Sequence, residues 1–171
     1  MIFFALAWSP IPEDKTLIAI TQKGIIYLID YHKRKIVTKN EINHGKFALN
    51  SISWNHFEPK LVIVGSMDMN SYMLSISDDR KTIDVVQTYR HPKKVFGVRW
   101  NPFDKKQFAT CCEDGVLRIF NSDNTSPIRV GKGHTAKIFT CAWNPVIPNV
   151  IATSSDDCNV IVWDFSKVDT D

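Results

Sequence analysis

An all-β fold built from repeated four-stranded units follows from three features of the 171-residue sequence. Tryptophans stand at positions 8, 54, 100 and 143, each closing a short alternating run and each followed by Ser or Asn. Behind each tryptophan come a second apolar run, a tight turn and a third apolar run. Helical periodicity is absent, and short strands with turn residues at near-regular spacing predict β structure throughout.

The first strand of each unit reads Phe4-Leu6-Trp8, Asn50-Ile52-Trp54, Phe96-Val98-Trp100 and Phe139-Cys141-Trp143 on one face. The other face carries Ala5 and Ala7, Gly97, or Thr140 and Ala142. Strand side chains alternate between faces, so one face is bulky and the other flat, as stacked sheets require. Second strands are expected over residues 17–20, 61–64, 108–112 and 150–153. Turns follow at Asp68, Asp114 and Asp157, with Lys23 in that place in the first unit, and Gly24 and Gly115 supply the positive φ that tight turns need. Third strands close on Ile29-Asp30, Leu74-Ser75, Phe120-Asn121 and Trp163-Asp164. The more variable segments 35–39, 82–89 and 126–130 read as outer fourth strands.

The tryptophan spacings are 46, 46 and 43 residues by subtraction. A period in the forties with four strands per unit is the size of a β-propeller blade. The units run over about 1–43, 44–90, 91–133 and 134–165, with a tail at 166–171. A seven-bladed ring at this period needs roughly 300 residues. Met1 falls inside the first inner strand, and too little follows Trp163-Asp164 for an outer strand. The expectation is an incomplete propeller, part of a longer chain or completed by another chain, with a closed four-bladed ring as the alternative.

Bulk properties exclude several classes. A formal charge of +3, from 21 basic and 18 acidic residues, does not imply nucleic acid, which needs clustered Lys and Arg. No stretch approaches the roughly 18 apolar residues of a membrane helix. The opening run from Met1 to Trp8 is too short for a signal peptide, so a cytoplasmic or nuclear protein is expected. Cys111, Cys112, Cys141 and Cys158 lack ligand spacing and are expected as buried free thiols. No glycine-rich phosphate loop or paired-histidine metal motif occurs, and no cofactor or metal is expected.

The segment from Gly133-His134 through Asp157 to Trp163-Asp164 resembles the repeat of the WD-repeat family, and the resemblance extends over residues 1 to about 165 in more degraded form. It implies a structural hydrogen-bond chain through His134, Thr153, Asp157 and Trp163. The residue types suit the task, since carboxylate accepts, imidazole donates and accepts, hydroxyl relays and indole donates. The same set recurs at His91, Thr110 and Asp114, with Phe120 in place of the indole. In the second unit Val64 and Leu74 replace two members and leave Asp68 with His44; the first unit keeps none. A Ser/Thr-His-Asp nucleophile triad has the same composition, but repetition from unit to unit points to a structural clip rather than catalysis.

The resemblance also implies that one rim of the central channel receives partner peptides. Lys46, Lys93, Lys94 and Lys137 follow the repeat histidines by two or three residues, and Gln22, Met67, Glu113 and Asp156 precede the turn position. These form the candidate partner-binding rim, unless Lys93 or Lys137 merely pairs with Glu113 or Asp156 at a solvated edge. The basic run Lys33-Arg34-Lys35 reads as a solvated turn. The expected function is a non-catalytic scaffold for protein–protein interaction, with partner proteins or peptides of acidic surface and no membrane or nucleic-acid role. One alternative is a substrate receptor of a cullin ubiquitin ligase, whose Arg two residues after the WD aspartate is replaced here by His32, Asp123 and Ser166. Another is RNA binding through the basic rim.

Overall fold

The structure is a computed structural model and describes residues 2–42 and 45–166. Blade 1 consists of β1 (Phe3–Trp8), β2 (Thr16–Thr21), β3 (Ile25–Asp30) and β4 (Lys35–Glu41); blade 2 of β5 (Leu49–Trp54), β6 (Leu61–Ser66), β7 (Asn70–Ile76) and β8 (Ile83–Arg90). Blade 3 holds β9 (Val95–Trp100), β10 (Gln107–Cys112), β11 (Val116–Asn121) and β12 (Pro127–Lys132), and blade 4 holds β13 (Ile138–Trp143), β14 (Val150–Ser155) and β15 (Val160–Asp164). Each blade is an antiparallel meander; three have four strands and the described part of blade 4 has three. Met1, placed by the sequence inside the first inner strand, the repeat histidine His44 and residues 167–171 of the tail lie outside the described residues.

Local chemistry sets the turns. Gly24 and Gly115 take φ of 66° and 75°, the left-handed region expected of them. Asn55, Asn101 and Asn144, each directly after an inner-strand Trp, accept hydrogen bonds from the backbone two residues on: Phe57 N at 2.9 Å, Phe103 N at 2.9 Å and Val146 N at 2.8 Å. These Asx turns fix the loop from first to second strand.

The register makes the blades superimposable position by position. Leu17, Val62, Phe108 and Ile151 lie opposite Ile29, Leu74, Phe120 and Trp163. Neighbouring blades pack the second and third strands of one against the inner strand of the next. Ile18, Ile20, Ile26 and Leu28 of blade 1 join Ile52 and Trp54 of blade 2. Ile63 and Met73 of blade 2 meet Val98 and Trp100, and Leu117 and Ile119 of blade 3 meet Cys141 and the partly buried Trp143. Close approach explains the small residues: a Cβ on Gly65 would stand 2.9 Å from Val95 Cγ1 of the next blade.

Polar stitches run beside this apolar core. Ser51 and Ser53 hydroxyls accept from the backbone of Val98 (3.2 Å) and Trp100 (3.0 Å), and Trp143 Nε1 donates to Arg99 O at 3.1 Å. Blades 1 and 2 are clamped by Arg80, in the β7–β8 turn, which forks onto both oxygens of the buried Asp14 at 2.6 Å. Burial works against the Asp14 carboxylate, but hydrogen bonds from Arg80, Ser9 and Thr16, with the Arg80 charge, together prevail and hold the pKa below its usual value.

The cysteines divide differently from expectation. Cys111, Cys112 and Cys141 are buried, whereas Cys158 is exposed, because it occupies the β14–β15 turn with φ of 64° rather than a strand.

Candidate functional site

In blade 4 the histidine from the loop before β13, the threonine of β14, the turn aspartate and the tryptophan of β15 form one directed chain. Trp163 Nε1 donates to Thr153 Oγ1 at 2.8 Å, and Thr153 lies 2.8 Å from His134 Nε2. His134 Nδ1 stands 2.7 Å from Asp157 Oδ2. A carboxylate only accepts, so Nδ1 carries the proton and Nε2 accepts from the threonine hydroxyl. Asp157 also accepts from the backbone of Thr135 (3.0 Å) and Asn159 (2.9 Å). Burial opposes its charge, yet the donors from His134, Asn159 and Thr135 prevail and bring its pKa down to about 2. His134 and Thr153 are buried, and the threonine oxygen is already held by indole and imidazole. It is a fastener, inaccessible to a substrate.

Blade 3 is wired otherwise. His91 Nε2 does meet Thr110 Oγ1 at 3.0 Å, but Nδ1 turns to the carbonyl of Tyr89 at 3.0 Å. Asp114 does not join them. It is taken by Arg118, whose two terminal nitrogens reach its oxygens at 3.1 and 2.6 Å. His91 is thereby held neutral, its pKa lowered to about 4 by burial and then by the Arg118 charge. In blade 2 Asp68 accepts from the hydroxyl of Tyr72 instead. Phe120 fills the indole position and stacks on Phe108 at 5.5 Å.

One position governs these differences. Tyr72, Arg118 and Ile161 each lie opposite the second-strand residue of the network, namely Val64, Thr110 and Thr153. Each also stands four residues after its turn aspartate, as the numbers 68 and 72, 114 and 118, 157 and 161 show. A side chain there that can donate captures the aspartate; isoleucine cannot, and the histidine takes it. Arg118→Ile should therefore leave Asp114 free beside His91. The expected result is a His91 titration midpoint raised by at least about one unit in an NMR titration; an unchanged midpoint would show that Arg118 does not govern this network.

The rim is asymmetric. At each blade the residue before the turn position donates its N–H to the residue entering the inner strand: Gln22 to Ile2 (3.0 Å), Met67 to Ala48 (2.9 Å), Glu113 to Lys94 (2.9 Å) and Asp156 to Lys137 (3.1 Å). Lys94 and Lys137 thus occupy equivalent positions, but in blade 2 that position is Ala48, and Lys46 precedes it by two residues. Lys137 Nζ pairs with Asp156 at 2.8 Å and Lys94 with Glu113 at 3.9 Å, while Lys46 and Lys93 are exposed with no ion pair among the described residues. Lys137 also lies over the rings of Phe139 at 4.9 Å and Phe96 at 5.9 Å. Those rings meet edge to face at 5.6 Å across the gap between β9 and β13. Among the described residues no cluster of His, Cys, Asp and Glu could hold a metal ion.

The family model described as WD domain, G-beta repeat matches residues 83–121 and 125–164. Those two stretches carry WD40 repeats. Over 84 residues the chain is 37% identical to the peroxisomal targeting signal 2 receptor of Schizosaccharomyces pombe, covering 48% of this chain and 27% of that protein. It is 33% identical over 85 residues to Coronin-7 of Homo sapiens, covering 46% of this chain and 9% of that protein. The chain thus spans a minor part of these relatives. A chain in the crystal structure of a mitotic checkpoint complex superimposes with a TM-score of 0.80 at 20% identity, over 95% of this chain and 47% of that one. At that identity the likeness speaks for the fold alone. The WD40 repeats are offset from the blades: residues 83–121 take β8 of blade 2 with β9 to β11 of blade 3, so each repeat bridges two sheets.

Sequence reasoning missed the Arg80–Asp14 clamp and the capture of Asp114 by Arg118. The second had a signal, the charged residue four positions after the turn aspartate. The first had none, because it joins residues 66 apart across two blades.

Proposed function

We propose that this WD40 chain is a non-catalytic scaffold in a multiprotein assembly, binding a protein or peptide of acidic surface at the rim of blades 3 and 4. The observation that carries the reading is the Lys137 ammonium on its Phe96–Phe139 platform, pinned by Asp156, with Lys93 exposed ahead of β9 and without an ion pair among the described residues. A cation held over aromatic faces is already ordered for a carboxylate partner, and the exposed Phe139 ring, with the half-buried Phe96 ring beside it, offers apolar contact. The receptor for a peroxisomal targeting signal among the relatives makes recognition of a peptide segment a consistent reading. The string from His91 to Trp100, followed by Gly133-His134-Thr135-Ala136-Lys137, resembles the long WD repeat-containing protein 17, and a cytoplasmic or nuclear location is part of the proposal.

Reversal of Lys46, Lys93, Lys94 and Lys137 to Glu tests this reading on a partner recovered by affinity purification of the full-length gene product. Binding should weaken at least about tenfold at low salt, and the loss should shrink as ionic strength rises. The melting temperature should hardly move, since exposed ion pairs are worth at most about 1 kcal/mol each. Reversal of Lys33, Arg34 and Lys35 removes similar charge elsewhere and should leave binding intact. Equal loss from both sets would reduce the effect to net charge, and no loss from the rim set would remove this face as the site.

A further inference from the structure

The loop from first to second strand lies at the end of each blade opposite the lysine rim, because a meander puts successive turns at opposite ends. In blades 1 to 3 this loop follows one plan. The residue after the inner-strand tryptophan accepts the N–H two residues on: Ser9 Oγ from Ile11 at 3.3 Å, Asn55 Oδ1 from Phe57 and Asn101 Oδ1 from Phe103, each at 2.9 Å. Backbone bonds tighten the same loops, from Asp14 N to Ile11 O, Leu61 N to Glu58 O and Gln107 N to Asp104 O. Each capped turn thus presents one large apolar side chain to solvent, and Ile11, Phe57 and Phe103 are 39%, 51% and 43% exposed. Single exposed apolar residues are ordinary, but three at one repeat position, on turns already rigid, form a surface ready for a partner. The junctions bordering these three loops all lie within the described residues.

The loops are joined to one another. Asn55 Nδ2 donates across the junction to Lys105 O at 2.9 Å, and Glu58 pairs with Lys105 at 3.1 Å, tying the Phe57 loop to the Phe103 loop. Between blades 1 and 2, Ile11 joins Leu28, Trp54, Pro59 and Ile76 in lining a cavity of about 210 Å³. A neighbouring hollow shares Pro59 and Lys60 with it and reaches Glu58, beside Phe57. The cations bordering the face are already held by carboxylates of the same chain: Lys60 by Asp78 at 2.6 Å, Arg80 by Asp14 at 2.6 Å and Lys106 by Asp123 at 2.5 Å. A strip whose charges cancel locally complements an uncharged partner. It leaves no free cation here for an anionic headgroup, and Glu58 and Asp104 set a carboxylate directly after two of the apolar tips. We propose that this face docks an apolar, charge-poor segment of a partner protein, with one aliphatic or aromatic side chain seated in the cavity between blades 1 and 2 and the segment lying across Phe57 and Phe103. It is a second docking surface, independent of the lysine rim and of opposite chemistry.

The test selects peptides from a phage-displayed random library on the folded chain and measures the affinity of the enriched sequence as a synthetic peptide. That sequence should be apolar and poor in charge, and its affinity should change less than about twofold between low and high salt. Phe57→Ser and Phe103→Ser should each weaken it at least about tenfold while keeping wild-type circular dichroism, since both side chains are about half exposed. Ile11→Ser repeats the test at the cavity should either variant fail to fold. The Trp54 indole N–H, which donates to Pro59 O at 2.7 Å in the cavity wall, should shift in NMR spectra on binding, while the Trp163 indole stays in place. Reversal of Lys46, Lys93, Lys94 and Lys137 to Glu should leave this peptide bound, so failure of this face and failure of the rim are read separately. An enriched peptide that is charged, that survives both phenylalanine variants or that leaves Trp54 unmoved overturns the proposal, as does a selection that enriches nothing. Cosedimentation with phosphatidylcholine vesicles that the two phenylalanine variants abolish would give the face to a bilayer and overturns it too.

Discussion

Trp163→Ala should lower the unfolding free energy of the chain by about 3 kcal/mol, the low end of the range for removing an aromatic side chain, because the indole is only half-buried. Two losses combine. The ring lies against Gly131 and Gly133, where a Cβ would come within 2.8 and 3.2 Å of it, so its removal opens a gap between blades 3 and 4 that backbone cannot fill. The Nε1 donor to Thr153, at 2.8 Å, also disappears. Trp163→Phe separates the terms: it keeps most of the ring and should cost about 1 kcal/mol, the net worth of one hydrogen bond. Asp157→Asn should also destabilise, since an amide oxygen cannot serve His134, Thr135 and Asn159 as the carboxylate does. Urea midpoints followed by circular dichroism check all three. A catalytic activity lost in Asp157→Asn with an unmoved midpoint would contradict the structural role.

Acidification from pH 6.5 to pH 4 should remove about 3 kcal/mol of stability through His91 alone. Its pKa falls from 6.5 to about 4 because the buried imidazole, beside the Arg118 charge, resists protonation in the folded chain. Between those values the unfolded histidine binds a proton that the folded one refuses, so unfolding gains ground as pH drops, and the loss levels off below about 4. Asp157 acts in a lower window: its folded pKa of about 2 lies below the usual 3.8, so its contribution is present above 3.8 and fades as pH falls toward 2. Urea midpoints measured from pH 7 to pH 4 should fall steeply in the wild type and more gently in His91→Gln. Equal slopes would place the acid sensitivity elsewhere.

The fold was legible in the sequence because its signals are local and repeated. Inner strands end on Trp8, Trp54, Trp100 and Trp143, turns sit at Asp68, Asp114 and Asp157, and strand alternation alone sorts bulky from flat faces. The blade 4 network was legible for the same reason, as its residues recur at fixed offsets. The partner of each aspartate was not. Whether Asp114 goes to His91 or to Arg118 depends on which donor the register of β10 and β11 brings alongside it, and a guanidinium fork outcompetes a neutral imidazole there. The rim was half legible: lysines after the histidines could be counted, but only the backbone pairing shows Lys94 and Lys137 in equivalent places and Ala48 in the third. The exposure of Leu6 and Val162 belonged wholly to tertiary structure. Strand alternation places apolar side chains such as these on one face, and only the arrangement of sheets decides whether a neighbouring blade covers them.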